Sequence, residues 1–313
     1  MTSPTVTATA AGTPRGEEPT RRRRGSGRHQ RGVLPIFLGP FGLLFALFYL
    51  LPIGYAVYQS LLVVEREGTF GKAREKFGGL AQYARVLEDD AFRESVLRVL
   101  LFGIVQVPVM LGLALVLALL LDSPLVRGKK FFRLAFFAPY AVPGVVAAIM
   151  WGFLYSPNLS PLSELTSKVG FLSADLVLWS MANVVTWVYV GYNMLIIYSS
   201  LLAIPTEVYE AARLDGAGQL RIAWSVKIPM VAPAIVLTAV FSIIGTLQLL
   251  AEPQVFRTFS SAVTSTYTPN LTVYSTSAVP NFHLAAAFSV VLALATFILS
   301  FTFLKLTQRR TDA

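Results

Sequence analysis

The sequence predicts an all-α integral membrane protein with six transmembrane helices and a cytoplasmic helical connection between the fourth and the fifth. Three observations predict it. Of 313 residues, 55% are hydrophobic and only 14% charged, with mean hydropathy +0.62; a soluble domain carries about 25% charged residues. Charge is excluded from long blocks: no Asp, Glu, Lys or Arg occurs in 32–64, 99–121, 134–163, 176–206, 228–251 or 258–304. Each block exceeds the roughly 20 residues that cross a hydrocarbon core of about 30 Å. Finally, Lys and Arg fall mainly on one side of these blocks, as orientation in a membrane requires.

The basic tail 1–33, rich in Thr, Ala, Gly, Pro and Arg and without apolar periodicity, is expected to be disordered. Its Arg21–Arg24 run resembles a nucleic-acid patch, but beside a span it reads as a topology anchor at anionic headgroups. The first span, about 35–62, is too long for a signal-peptide core and lacks a small-residue cleavage site. The others are expected at 97–121, 134–155, 176–201, 229–251 and 282–305, with 306–313 as a short cytoplasmic tail. Barrel strands would alternate in and out, whereas LGLALVLALLL (111–121) is apolar throughout. Seventeen Lys and Arg on the tail side against eight opposite put both termini in the cytoplasm of a plasma or inner membrane. Seven acids accompany the six bases of the 65–95 loop. Within that loop, Leu80, Tyr83, Ala84, Leu87 and Ala91 recur at helical spacing and predict an amphipathic helix over 78–102. The Pro/Ser/Thr/Asn-rich connections 156–175 and 252–281 suit docking on the outside.

The absence of cysteine excludes a disulfide framework, a Cys-ligated metal site and a thiol nucleophile. With His29 and His283 alone, a histidine metal cage is remote. No G-x-x-x-x-G-K-[ST] loop is present, so nucleotide chemistry belongs to a partner.

The most informative stretch is IPTEVYEAARLDGAGQLRIAWSVKIPMVAP, 204–233. A helix from Thr206 to Leu214 is stopped by Asp215-Gly216-Ala217-Gly218, and a second, about 219–227, precedes Pro229, where the fifth span begins. Two short helices at a glycine turn make a knob, with Ala211 and Ala212 keeping one face low and Glu210 and Arg213 at its edge. The triplet Glu-Ala-Ala alone carries no information. The extended spacing does: Glu210-Ala211-Ala212, three residues, Gly216, nine residues, then Val226-Lys227-Ile228-Pro229 resembles the EAA signature of ABC-importer membrane subunits.

Around that motif, PIGYAVYQSL (52–61), GLAQYARVL (79–87), FFAPYAVPGVVAAIMWGFLYSPN (136–158) and LAAAFSVVLALATFILSF (284–301) are similar to the carbohydrate-uptake, maltose-transporter-like branch, first-permease type. After the fifth span relatives carry a Gly-Gly-Pro-type turn, where this chain reads AEPQVFRTFSS (251–261). The resemblance implies a type I importer transmembrane domain over 34–305, with 203–229 as the loop that docks on an ATPase. It implies a non-enzymatic transport subunit working with a second homologous permease, two ATPase subunits that hold ATP and Mg, and an extracytoplasmic sugar-binding protein. Its coupling residues are Glu210, Ala211, Ala212, Asp215, Gly216, Ala217, Val226, Ile228 and Pro229. No cofactor is bound by the chain itself, and no nucleic acid.

Polar and aromatic residues inside spans are candidates for a carbohydrate pathway, because a lipid-facing amide is costly. Asn183 and Trp187 share one face of the fourth span; Tyr189, Tyr192 and Asn193 share a neighbouring one. Amides for hydroxyls beside rings for apolar sugar faces suit such a site, while interhelical hydrogen bonds and interfacial aromatics explain the same residues structurally. Gln248, Tyr140 and Trp151 complete the set; Tyr140 lies between Pro139 and Pro143, where a broken helix would face a cavity. Glu252 at the end of the fifth span suggests a proton site, but its place near the interface favours solvation. A proton-coupled secondary transporter or channel is the alternative, and would show inverted repeats and intramembrane ions. A membrane-embedded enzyme would show a catalytic constellation within the spans. Neither signature is found.

Overall fold

The computed structural model describes the backbone of residues 30–66, 73–278 and 281–311, with side chains from Leu38 to Thr307 inside those ranges. Most of the expected disordered tail falls outside them. The chain divides into two units, Met1–Ile53 and Gly54–Ala313.

The described residues of the first unit are helical: α1 (Gln30–Phe45), a π turn (Ala46–Leu50) and the start of α2 (Leu51–Ser60). Along it the Phe41, Phe45 and Tyr49 rings stack at 6.1 and 5.4 Å. A proline ring clashes with the carbonyl four residues earlier; for Pro52 that residue is Phe48, inside the π turn, whose wider spacing lets the helix run on.

The second unit continues with a two-stranded antiparallel ribbon absent from the sequence reading, β1 (Leu62–Arg66) paired to β2 (Ala73–Phe77). The helix predicted over 78–102 is two helices, α3 (Ala81–Glu88) and α4 (Asp90–Asp122), split where the Asp89 carboxylate accepts the Phe92 N–H at 2.8 Å as an N-cap. Its predicted face is also corrected: Leu80 and Leu87 are exposed, while Gln82 and Val86 are buried. The cause is the ribbon, since the Gln82 amide donates to the Leu62 carbonyl at 3.0 Å. His283, at the start of the last span, is buried, with Nδ1 3.2 Å from the Gln59 carbonyl and Nε2 3.5 Å from Glu75.

The third span is bent. Helix α5 (Lys129–Phe137), a 3-10 turn (Ala138–Ala141) and α6 (Gly144–Tyr155) meet at 94°. Helix α7 (Ser163–Val169) leads to α8 (Val177–Leu202), the fourth span. Helices α9 (Thr206–Leu214) and α10 (Gln219–Ile222) follow, then a second π turn (Ala223–Lys227) and α11 (Ile228–Leu247). The expected break at Pro229 does not occur, because its residue four back, Ser225, again lies in a π turn. Helix α11 ends four residues short of the expected boundary, and α12 (Ala251–Phe256) restarts immediately. Helices α13 (Pro269–Ala278) and α14 (Phe282–Thr311) close the chain, the last running through most of the expected 306–313 tail. Five helices, or six counting the bent pair, are long and apolar enough to cross a membrane among the described residues.

The core lies where α4 packs along α8. Ala114 and Ala118, one helical turn apart, are fully buried against Met194, Ile197 and Leu201. Small residues permit the close backbone approach on which helix association in lipid depends. The α5–α8 crossing is tighter still: a Cβ on Gly191 would sit 1.8 Å from the Phe136 carbonyl oxygen. Overpacking ordinarily costs about 1–3 kcal/mol, and here the obstacle is backbone that cannot rotate away. Gly191→Ala is therefore expected to lower the melting temperature in detergent by several degrees. Gly112→Ala, with nothing within 4 Å of its added carbon, leaves it unchanged or raised.

Candidate functional site

A cavity of about 600 Å³ opens between α4, the α5–α6 bend, α8 and the end of α11. Its floor comes from irregular backbone. At the bend, Val142 is extended and Pro143 and Gly144 face the space. At the end of α11, Gln248 to Leu250 break the helix and line the opposite wall. Carbonyls freed by that break are capped from outside: the Asn270 amide donates to the Gln248 oxygen at 2.9 Å, and the Thr268 hydroxyl to that of Leu249 at 3.1 Å. Unpaired carbonyls at membrane depth would be costly.

The predicted pathway residues separate into two groups. Tyr189, Tyr192, Asn193 and Gln248 line the cavity. Tyr140 supports them without lining it, stacked on Tyr192 at 4.7 Å and edge-on to Tyr189 at 5.8 Å. Asn193 is 2% exposed and its amide donates to the Tyr189 carbonyl at 3.1 Å. Asn183, Trp187 and Trp151 lie elsewhere, in an aromatic cluster on the opposite face of α8. There the Asn183 amide donates to the Tyr155 hydroxyl at 2.8 Å, and the Trp151 and Trp187 rings meet edge-on at 5.9 Å. The two faces of α8 read from the sequence thus point to different places.

Sequence reasoning missed several wall residues: Gln106 on α4, Ser242 and Thr246 on α11, and Gln254 on α12. Gln106 carries a legible signal, being an amide inside an otherwise apolar, charge-free block. Its Nε2 lies 3.3 Å from the Thr186 hydroxyl, while Oε1 is buried without a partner among the described residues. Glu252 is corrected: it is 7% exposed rather than solvated, because the short α12 folds back against α6.

The second feature is the knob. Helix α9 ends in a Schellman motif: the Ala217 N–H donates to the Ala212 carbonyl and the Gly216 N–H to that of Arg213, both at 3.0 Å. The motif requires a left-handed residue after the helix, and Gly216 has φ +77°. The four-residue step from Ala212 to Gly216 is therefore a helix-stop geometry. Glu210, Ala211, Asp215, Gly216 and Pro229 are exposed, and Ala212, Ala217, Val226 and Ile228 half-buried. Beside them stand bare apolar side chains: Leu214 is 90% exposed, Leu220 79% and Trp224 69%.

Beneath the knob, Lys227 is buried and pairs with Asp122, the last residue of α4, at 2.5 Å. Its ammonium also lies 5.3 Å from the centre of the Tyr209 ring on α9. Burial, and after it the Asp122 charge, hold the Tyr209 hydroxyl above the usual tyrosine range. The ion pair was not legible from sequence, since its partners are 105 residues apart.

A family model described as "binding-protein-dependent transport system inner membrane component" matches residues 110–312. The sn-glycerol-3-phosphate transport system permease protein of Agrobacterium fabrum is 34% identical over 207 residues, 64% of this chain and 69% of that one. The lactose transport system permease protein of Rhizobium radiobacter is 30% identical over 278 residues, 85% of this chain and 91% of that one. A crystal structure of a bacterial ABC transporter involved in the import of the acidic polysaccharide alginate matches with a TM-score of 0.71 at 15% identity, covering 90% of this chain and 96% of that one. That likeness speaks for the fold. The matched family region contains the knob and nearly all of the cavity wall. The chain belongs to the family of binding-protein-dependent transport system inner membrane components, the permease subunits of ABC importers.

Proposed function

We propose that the chain is a membrane-spanning subunit that imports a carbohydrate handed over by an extracytoplasmic binding protein. It works beside a second homologous permease and is driven by two ATPase subunits docked on its knob. Both termini then lie in the cytoplasm, as the Lys and Arg distribution requires. ATP and Mg bind the partner ATPases, where hydrolysis supplies the energy.

The observation that carries this reading is how the knob is attached. It continues into α8 through Ala203–Pro205, into α11 through the π turn, and to α4 through the Lys227–Asp122 pair. Those three helices are walls of the cavity. A partner that grips Leu214, Leu220 and Trp224 and shifts the knob moves all three walls together. The exposed Ala211 and the glycine turn at Gly216 let that partner approach the backbone of α9 closely, with Glu210 at the edge for a basic contact. Amides, hydroxyls and tyrosine rings around the cavity match a hydroxyl-rich cargo with apolar faces.

Two outcomes follow. Forcing a β-branched residue into the left-handed position costs at least about 1–2 kcal/mol and distorts the stop of α9. Gly216→Val and Glu210→Ala are expected to cut uptake in the native host by about 10-fold or more, with membrane levels unchanged on immunoblots. Uptake left intact by both, or surviving ATP depletion and collapsing with the proton gradient, would favour a secondary transporter instead.

Removing one partner of a buried pair leaves an uncompensated charge, worth about 3–5 kcal/mol. Lys227→Met should therefore destabilise the protein in thermal unfolding far more than the double change Asp122→Asn with Lys227→Met, and a lesser loss in the double variant identifies the pair as the cause.

A further inference from the structure

The cavity wall carries one carboxyl group, that of Glu252, and no Lys, Arg or His. Glu252 is more than nine-tenths buried and has no salt bridge among the described residues. Gly144 at the α5–α6 bend packs beside it: a Cβ there would lie 3.7 Å from its Oε1, at ordinary van der Waals distance. An ionisable side chain kept buried in a cavity wall without a counter-charge is a candidate functional position. Its chemistry is directional. A carboxylate accepts hydrogen bonds from hydroxyls, while an anion entering the same space sheds its water and meets a like charge with no cation to offset it. The other polar wall groups, Gln106, Asn193, Thr246 and Gln254, are neutral and serve hydroxyls equally well.

Specificity is a difference of affinities, and a repulsive element is one way to obtain it. We infer that Glu252 is a specificity-determining residue that admits neutral, polyhydroxylated cargo to the cavity and rejects anionic cargo such as phosphate esters and uronates. This sets the chain apart from two proteins it resembles, whose names specify sn-glycerol-3-phosphate and an acidic polysaccharide. The inference rests on the carbohydrate-import reading and adds the charge class of the cargo.

The test uses the full chain, purified with its partner subunits into lipid nanodiscs, and two probes differing only at the terminal carbon: glucose and glucuronate. Equilibrium binding of each labelled sugar is measured for the wild type, Glu252→Gln and Glu252→Arg. The wild type should prefer glucose by about 10-fold or more, Glu252→Gln should bring the two within about 3-fold, and Glu252→Arg should prefer glucuronate. Comparable melting temperatures for the three proteins certify that the change acts in the cavity. A wild type that takes glucuronate as well as glucose, or a Glu252→Gln variant that keeps the wild-type ratio, overturns the inference and leaves the importer reading standing. Binding of neither sugar by any variant, together with uptake unaffected by Gly216→Val, overturns the carbohydrate reading and this inference with it.

Discussion

Inside a bilayer a backbone N–H or C=O has no water to turn to, and that single constraint orders everything else in this protein. It makes the spans helical, and it makes each interruption of a helix expensive. Interruptions occur where the cost is met by local partners or where the freed backbone faces a cavity. The α5–α6 bend and the break after α11 both do so, and between them they enclose a space lined by amides, tyrosines and a carboxyl group. Thr268 and Asn270 reach in from the following loop to satisfy the carbonyls at the second break. The cavity and the irregular backbone are two consequences of the same geometry.

Proline tests the same constraint. Pro52 and Pro229 each lie at the second position of a helix that continues from a π turn. In both places the residue four back, whose carbonyl the ring would strike, belongs to that turn. Without this device Pro229 would separate the knob from the fifth span. With it, α10 and α11 form one continuous rod, and a displacement of the knob reaches the cavity wall directly.

Much of this was legible in the sequence, for physical reasons. Charge exclusion is a property of composition, so the spans could be read from blocks such as 99–121 and 176–206. The Ala212–Gly216 spacing is local, so the stop of α9 could be read from residues alone. What escaped depends on contacts between distant residues. The β1–β2 ribbon lies in a charge-rich loop, and its five-residue strands are too short to show a period. The face of α3 was misjudged because Gln82 finds a buried carbonyl on that ribbon, which hydrophobicity could not announce. Trp151 and Trp187 had the right chemistry for a pathway, but they meet on the face of α8 turned away from the cavity. Glu252 was visible yet misplaced, since its burial follows from α12 folding back, and Asp122 meets Lys227 only after six helices, α5 to α10, have intervened.

The contact at Gly191 has a mechanical consequence. With the Phe136 carbonyl pressed against a bare α-carbon, α5 and α8 share a joint that has no clearance. Two rods joined without clearance turn as one body, so the bent third span is carried wherever the fourth span goes. The α4–α11 seam is built differently, from aliphatic side chains such as Val107, Leu111 and Ala239. One missing methyl group thus yokes the third span to the fourth.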